Sequence, residues 1–215
     1  MTLSIADVSR INSAIYKNTG FVQRLLSTAR PYICPFHTMV ELVPKDSSIL
    51  DIGCGSGVFL NLLVHQKTIK KGIGFDASQD VINTATKAMN TLDNHSVAKF
   101  QCRQVEEGLP DGDFDVVSMI DVMHHIPPES QQDAFKSAAH KLSKGGVFIY
   151  KDIGQRPLWR AWGNRIHDLI LAQEWIHYVP TEYILDWAKE SELSMIHRDT
   201  INMFWYGHEL FVFKK

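Results

Sequence analysis

The chain has 215 residues, of which 45% are hydrophobic and 21% are charged, values typical of a globular protein and not of a disordered or fibrous one. This length suits one α/β domain with a sizeable core. Lysine and arginine number 22 against 24 for aspartate and glutamate, so the net charge of −2 gives no general attraction for a phosphate backbone. A nucleic-acid partner is therefore disfavoured.

The cysteines argue against both a disulfide framework and a zinc site. They are three in number, widely spaced and free of any CxxC arrangement: Cys34, Cys54 and Cys102. The first ten residues lack a basic run followed by an apolar core, and the sequence has no run of 18 apolar residues. We therefore expect a cytoplasmic protein without stable membrane insertion.

The first predicted element is a helical N-terminal cap over residues 1–43. From residue 6 to about residue 29, apolar side chains recur at helical spacing: Ile11, Ile15, Val22, Leu25 and Leu26. Pro31 and Pro35 then interrupt the pattern.

Beyond the cap, strands and helices alternate. Strands are predicted over residues 48–52, 72–75, 97–102, 114–120 and 146–152, with helices over residues 57–65, 79–89 and 129–142. This alternation predicts parallel strands with crossover helices. Two further strands, over residues 194–199 and 208–213, have a connection too short for a crossover helix and should pair antiparallel. We expect a doubly wound, mainly parallel, seven-stranded sheet whose last strand is antiparallel.

A glycine-rich turn follows the first of these strands. In ILDIGCGSG, residues 49–57, an apolar strand ends at Asp51, and glycines follow at positions 53, 55 and 57. Such glycines let a ligand approach the backbone, and the next helix offers free N–H groups to a carboxylate. The dinucleotide fingerprint would need a third glycine where Val58 or Leu60 stands, and no P-loop pattern is present.

Asp76 ends the second strand, in GIGFDAS. An acid at this position can accept hydrogen bonds from both ribose hydroxyls of a nucleoside. Taken singly, the glycines could serve only a tight turn and Asp76 only as a helix N-cap. Found together at the spacing of one βαβ unit, they favour a nucleoside site.

These motifs resemble the class I S-adenosylmethionine-dependent methyltransferases, in particular the small-molecule type related to quinone-biosynthesis enzymes. The similarity covers about residues 44–152 and implies one Rossmann-like methyltransferase domain over residues 1–215. It also implies S-adenosylmethionine as cofactor and S-adenosylhomocysteine as product. The implied cofactor-binding residues are Asp51, Gly53, Cys54, Gly55, Gly57, Asp76, Ala77, Gln104, Val105, Ile120 and Asp121. Gln104 stands where the family usually has an aspartate that contacts the adenine amino group.

The segment FDVVSMIDVMHHIP, residues 114–127, resembles the fourth-strand motif and the loop beside the transferable methyl group. A carboxylate or histidine there could remove a proton from the acceptor, so Asp121, His124 and His125 are the candidate catalytic residues. Asp121 could instead cap a turn or touch the cofactor, and His125 could shape the loop. No HExxH or two-histidine, one-carboxylate spacing is present, so we expect no metal.

An insert over residues 155–179 follows the fifth strand. Its apolar residues fall at spacings of three and four, which predicts an amphipathic helix: Trp159, Trp162, Ile166 and Leu169. We expect a helical lid in which Trp159 and Trp162, with Lys151 nearby, bind the acceptor. The same stripe could cover a sheet edge, a homodimer partner or, through nearby arginines, a membrane surface.

The sequence thus predicts methyl transfer to oxygen or carbon of a small, apolar or lipid-like acceptor. Two alternatives stay open: an enzyme that methylates RNA or protein, and a non-catalytic protein that binds S-adenosylmethionine.

Overall fold

The computed structural model of the protein describes residues 3–154, 177–203 and 206–215. Seven strands lie within these ranges: β1 (Ser47–Ile52), β2 (Ile69–Asp76), β3 (Ala98–Cys102), β4 (Phe114–Ile120), β5 (Leu142–Ile153), β6 (Ser194–Met203) and β7 (Tyr206–Lys214). They form one sheet in the order β3-β2-β1-β4-β5-β7-β6. Strands β1 to β5 pair in parallel, and β7 runs antiparallel to both β5 and β6. The predicted sheet is confirmed.

Helices cover both faces of the sheet. They are α1 (Ile5–Ile15), α2 (Phe21–Ala29), α3 (Phe36–Glu41), α4 (Val58–His65), α5 (Gln79–Met89), α6 (Pro128–His140) and α7 (Thr181–Glu190). Apolar residues of α1, α3, α4 and α5 join one core cluster, whereas α6 and α7 join a second cluster on the opposite face. The sheet is therefore doubly wound, as expected from the alternation of strands and helices.

The strand order reverses beside β1. This strand pairs in parallel with β2 on one side and with β4 on the other. Ile49 and Leu50 are completely buried and face opposite clusters, as expected of a central strand covered on both sides. In open α/β sheets, such a reversal leaves a crevice beyond the carboxyl ends of the strands.

The N-terminal cap is helical, as predicted, but more than one helix carries the apolar pattern of residues 6–29. Helix α1 ends at Ile15, a 3₁₀ turn covers Tyr16–Asn18, and α2 begins after Gly20. The hydroxyl of Thr19 donates to the carbonyl of Tyr16 at 2.7 Å, a local bond that competes with helix continuation. The break changes the helical phase, so the apolar residues of α2 do not share the buried face of α1.

Two smaller differences concern the second half of the chain. The helix expected over residues 129–142 ends at His140, and Leu142 instead begins β5, where it pairs with Phe114. The predicted lid, with Trp159 and Trp162, falls almost entirely outside the described residues. Among the helices that are described, none is long and apolar enough to cross a membrane.

Candidate active site

A cavity of about 760 Å³ lies at the carboxyl ends of β1, β2 and β4. This volume is within the range of small-molecule sites, roughly 300 to 1,000 Å³. Its walls come from the glycine turn after β1, from the segments that follow β2, β3 and β4, and from the N-terminal cap. Sequence motifs that are far apart in the chain therefore face one cavity.

The glycine turn needs its glycines for two different reasons. Gly53, Gly55 and Gly57 all have positive φ, at 65°, 53° and 77°, where a side chain is strained. A Cβ atom on Gly53 would lie 2.3 Å from Cγ2 of Val122, so that position is closed by packing. A Cβ atom on Gly55 would meet nothing within 4 Å. Gly55 lines the cavity, so the turn exposes backbone to a ligand there.

The cap fixes this turn from behind. The Tyr16 hydroxyl donates to the carbonyl of Ser56 at 2.7 Å and accepts from the Asn61 side chain at 3.0 Å. Tyr16 is completely buried, and burial raises the pKa of its hydroxyl, which therefore stays a donor. Sequence analysis missed this residue, because it lies outside the motif and 40 residues before its partner.

Asp76 accepts two hydrogen bonds from the backbone and can accept more from a ligand. Its Oδ2 accepts from the Gly55 amide at 2.9 Å, and its Oδ1 accepts from the Ser78 amide at 3.0 Å. The N-cap of α5 is Ser78, so Asp76 is not the cap residue. A carboxylate has about four acceptor positions. The half-buried Asp76 can therefore accept further hydrogen bonds from a ligand in the cavity that it lines.

Asp51 is the buried acid of the site. It is 2% exposed, lines the cavity and accepts from the Ser118 hydroxyl at 2.6 Å. Burial raises the pKa of Asp51 to about 7, although the Ser118 hydrogen bond acts in the opposite direction. A ligand ammonium group nearby would stabilise the ionised form.

The segment after β3 supplies the predicted adenine contacts. Gln104 and Val105 line the cavity, as do Ala77 and the unpredicted Arg103. The Arg103 amide donates to the carbonyl of Asp76 at 2.9 Å, which joins the ends of β2 and β3. The exposed amide of Gln104 offers both a donor and an acceptor to a base edge.

Asp121 lies at the end of β4 in an ion-pair cluster. It lines the cavity together with Ile120, and its φ of 54° places it in the left-handed region. Lys151 Nζ lies 2.5 Å from Oδ1, and Arg30 Nη2 lies 3.0 Å from Oδ2. Burial alone would raise the pKa of Asp121, but Lys151 and Arg30 hold it well below its usual range. Asp121 is therefore an ionised acceptor of low basicity.

Lys151 was expected to bind the acceptor. Its side chain is 0% exposed and is not among the residues that line the cavity. The structure places it behind Asp121, where it balances a buried negative charge.

The two adjacent histidines have different surroundings. His124 is buried, and its Nδ1 bonds to the carboxylate of Asp152, which also accepts from the His124 amide at 3.2 Å. Burial lowers the pKa of His124, but Asp152 outweighs this effect and raises it. His125 is exposed and lines the cavity, with its ring centroid 4.2 Å from that of His124. Only His125 of this pair therefore faces the cavity.

The remaining wall is mainly apolar and comes largely from the cap. It includes Leu26, Ser27, Arg30 and Phe36, together with Ile126 and Pro127 after the β4 loop. The sequence carried no signal for the cap residues, since their position depends on how the cap docks on the sheet. In the described ranges, no cluster of three or more side chains could hold a metal ion.

Comparison with known proteins identifies the class to which this geometry belongs. A family described as a methyltransferase domain matches residues 21–198. The chain belongs to this family, and S-adenosylmethionine is its cofactor. The open backbone at Gly55 and the acceptor capacity of Asp76 fit such a nucleoside.

Its curated relatives act on different acceptors. The chain is 23% identical to a ubiquinone biosynthesis O-methyltransferase of Coxiella burnetii over 174 residues, 73% of this chain and 67% of the relative. It is 25% identical to a tRNA U34 carboxymethyltransferase of Mannheimia succiniciproducens over 158 residues, 71% of this chain and 46% of the relative. The chain thus spans about two thirds of the length of the first protein and just under half of the second.

Solved structures share the fold. Magnesium protoporphyrin IX methyltransferase from Synechocystis PCC 6803, with bound S-adenosylhomocysteine, superposes with a TM-score of 0.70 at 16% identity, covering 97% of this chain and 100% of that one. The N-methyltransferase NodS from Bradyrhizobium japonicum WM9, with the same product bound, gives a TM-score of 0.66 at 15% identity and covers 97% of each chain.

Proposed function

We propose that the protein transfers the methyl group of S-adenosylmethionine to an oxygen or carbon atom of a small, largely apolar acceptor. The observation that carries this proposal is the composition of the cavity. One set of walls offers Gly55, Asp76 and Gln104 to a nucleoside, and another offers Leu26, Phe36 and Ile126 to an apolar molecule. A cavity of about 760 Å³ is large enough for a small acceptor beside the cofactor.

The cofactor supplies an activated methyl group, so the protein mainly has to align an acceptor with it and exclude water. In this proposal, Asp76 accepts from the ribose hydroxyls, Gln104 and Val105 contact adenine, and Asp51 faces the ammonium of the amino-acid part. The apolar walls from the cap exclude water beside the acceptor.

We assign proton removal to His125. It is exposed in the cavity, whereas His124 is buried against Asp152. Asp121 also lines the cavity, but its two cationic partners make it a weak base. Of the three predicted candidates, His125 is therefore the side chain that is exposed in the cavity and does not carry the two cationic partners of Asp121.

The alternative of an RNA acceptor follows from the relative that modifies tRNA. A polyanionic substrate would favour a basic surface, and the chain has a net charge of −2. The apolar cap wall also suits a small acceptor better than a phosphate backbone. We therefore place a small apolar molecule first.

The test measures methyl transfer from labelled S-adenosylmethionine to hydroxyaryl compounds with and without an isoprenoid chain, and to unmodified tRNA. The proposal expects methyl transfer to the hydroxyaryl compounds, above all to those that carry the apolar isoprenoid chain. Transfer to tRNA alone would establish the alternative. Binding of the cofactor without transfer to any of them would favour a non-catalytic role.

His125→Ala tests the assigned base. We expect turnover to fall about 100-fold, the lower end of general-base effects, with no change in affinity for S-adenosylhomocysteine. His140→Ala is the matched control, because His140 is exposed at the end of α6 and does not line the cavity. Unchanged turnover in His125→Ala would leave alignment alone as the catalytic contribution.

A further inference from the structure

Helix α2 carries its apolar side chains on the outside. Phe21, Val22, Leu25 and Leu26 are 81%, 58%, 57% and 64% exposed. Ser27 is the buried residue of this nine-residue helix. At 100° per residue, the four exposed side chains cover about 140° of the helix surface. The outward face of α2 is therefore a continuous apolar stripe, which soluble surfaces rarely present without a partner.

The part of the sequence that contains this stripe carries charges of one sign. Residues 8–40 contain no aspartate or glutamate but four cations: Arg10, Lys17, Arg24 and Arg30. Arg10 and Arg30 form ion pairs with Asp7 and Asp121, whereas Lys17 is exposed just before α2 and Arg24 is exposed within it. A basic segment with an exposed apolar stripe occurs here in a chain whose net charge is −2.

The stripe is continuous with the cavity. Leu26 belongs to the outward face of α2 and also lines the cavity. The adjacent Ser27 and, about one turn further on, Arg30 line the cavity too. A surface that covers the stripe therefore also borders the cavity.

We propose that α2 is a membrane-contact helix, which binds the surface of an anionic lipid bilayer with its apolar stripe in the headgroup boundary. A bilayer matches both observations, because it offers an apolar layer and a negative surface that attracts lysine and arginine. A bilayer on the stripe would adjoin the cavity at Leu26, so an acceptor dissolved in lipid would reach the site over a short path. This last point rests on the proposed function, whereas the contact itself does not.

A second copy of the chain fits the stripe less well. A nine-residue helix is about 14 Å long. A stable dimer buries roughly 800 Å² on each partner, contributed by 20 to 30 residues. Four side chains on so short a helix provide too small a face for such an interface.

The experiment is sedimentation of the full chain with sucrose-loaded vesicles, either pure phosphatidylcholine or phosphatidylcholine mixed with phosphatidylglycerol. We expect binding to the mixed vesicles and at least tenfold weaker binding for Phe21→Ser/Leu25→Ser. Lys17→Gln/Arg24→Gln should reduce the preference for the anionic vesicles. Neither Phe21 nor Leu25 lines the cavity, so calorimetry with S-adenosylhomocysteine should show unchanged affinity and confirm folding.

Met195→Ser/Ile196→Ser is the matched control. These side chains are 49% and 56% exposed at the start of β6, on the outermost strand and at the opposite edge of the sheet from the cavity. We expect this variant to bind vesicles like the unaltered chain.

Three results would overturn the proposal: no sedimentation of the unaltered chain, an equal loss in the control variant, or a dimer in light scattering that Phe21→Ser/Leu25→Ser converts to a monomer. The last result would assign the stripe to a second copy. Because these measurements do not involve methyl transfer, their failure would leave the proposed function standing.

Discussion

The cofactor end and the acceptor end of the cavity are built in different ways. Gly53, Gly55 and Asp76 form the cofactor end at strand termini, where short contiguous motifs determine the backbone. Leu26 and Arg30 form part of the acceptor end, and they reach it only because the N-terminal cap docks on the sheet. Under the proposed function, local sequence therefore builds the end of the cavity assigned to the cofactor, whereas tertiary packing builds the end assigned to the acceptor.

The strongest test of this difference is Gly53→Val. The new Cβ would lie 2.3 Å from Val122, and a β-branched residue at a φ of 65° is strained. We expect affinity for S-adenosylhomocysteine, measured by calorimetry, to fall more than 100-fold, which is roughly 3 kcal/mol.

Gly145→Val is the control for backbone strain alone. Gly145 has a φ of 79° but nothing within 4 Å of an added Cβ, and it does not line the cavity. It should lower the unfolding midpoint without changing affinity. Equal loss of affinity in both variants would mean that the cofactor end depends on global stability and not on the local turn.

A smaller loss is expected from Asp76→Ala. Removing a charged acceptor from partly buried hydrogen bonds should weaken cofactor binding by roughly 1 to 3 kcal/mol, while the fold is retained. Asp80→Ala, on the exposed first turn of α5, is the matched control. A normal dissociation constant for Asp76→Ala would remove this carboxylate from the site.

Two buried groups, Asp51 and His208, should make stability respond to pH in opposite directions. Burial raises the pKa of Asp51 to about 7, so the folded state takes up a proton below pH 7 that the unfolded state does not, and stability rises as pH falls. His208 lies near the Asp121 cluster, and burial lowers its pKa to about 3. The unfolded state therefore binds a proton below about pH 6.5 that the folded state does not bind, so stability falls as pH falls.

Each group changes the free energy of unfolding by about 2 kcal/mol between pH 7 and pH 5, and because the two changes have opposite signs they nearly cancel in the unaltered chain. Urea unfolding of the cofactor-free protein at both pH values measures them. From pH 7 to pH 5, we expect the free energy of unfolding of His208→Gln to rise and that of Asp51→Asn to fall, whereas that of the unaltered chain should change little. His124, whose pKa is raised, adds stability as pH falls, and this contribution is complete below its ordinary pKa of 6.5.

The smallest effect is expected from Tyr16→Phe. It removes the donor to the Ser56 carbonyl and loosens the glycine turn from behind. Affinity for the cofactor should fall a few-fold, about 1 kcal/mol. Tyr32→Phe, at an exposed position of the cap, should not change it. No effect of Tyr16→Phe would show that the turn is rigid without the cap.

The same contrast explains what the sequence predicted. The strands, their mainly parallel pairing and the glycine turn follow from periodicity and from residues with special backbone requirements, so they were predicted, and the structure confirms the strands. The outward orientation of the apolar side of α2 was not predicted, because apolar spacing identifies a helix but does not show whether its apolar side faces the core or the solvent. Likewise, the position of Lys151 at a strand end suggests a ligand contact, but only the fold shows that Lys151 forms an ion pair with Asp121.

The hydrogen bond from Tyr16 to Ser56 has a consequence for how two ligands affect each other's binding. It connects the cap, which lines the end of the cavity that we assign to the acceptor, to the glycine turn, which we assign to the cofactor. Whatever stiffens the turn therefore also stiffens the cap, and linkage makes this coupling reciprocal. We expect the cofactor to raise the affinity for the acceptor, and the acceptor to raise the affinity for the cofactor by the same factor. Amide hydrogens of α1 should then exchange more slowly once the cofactor is bound.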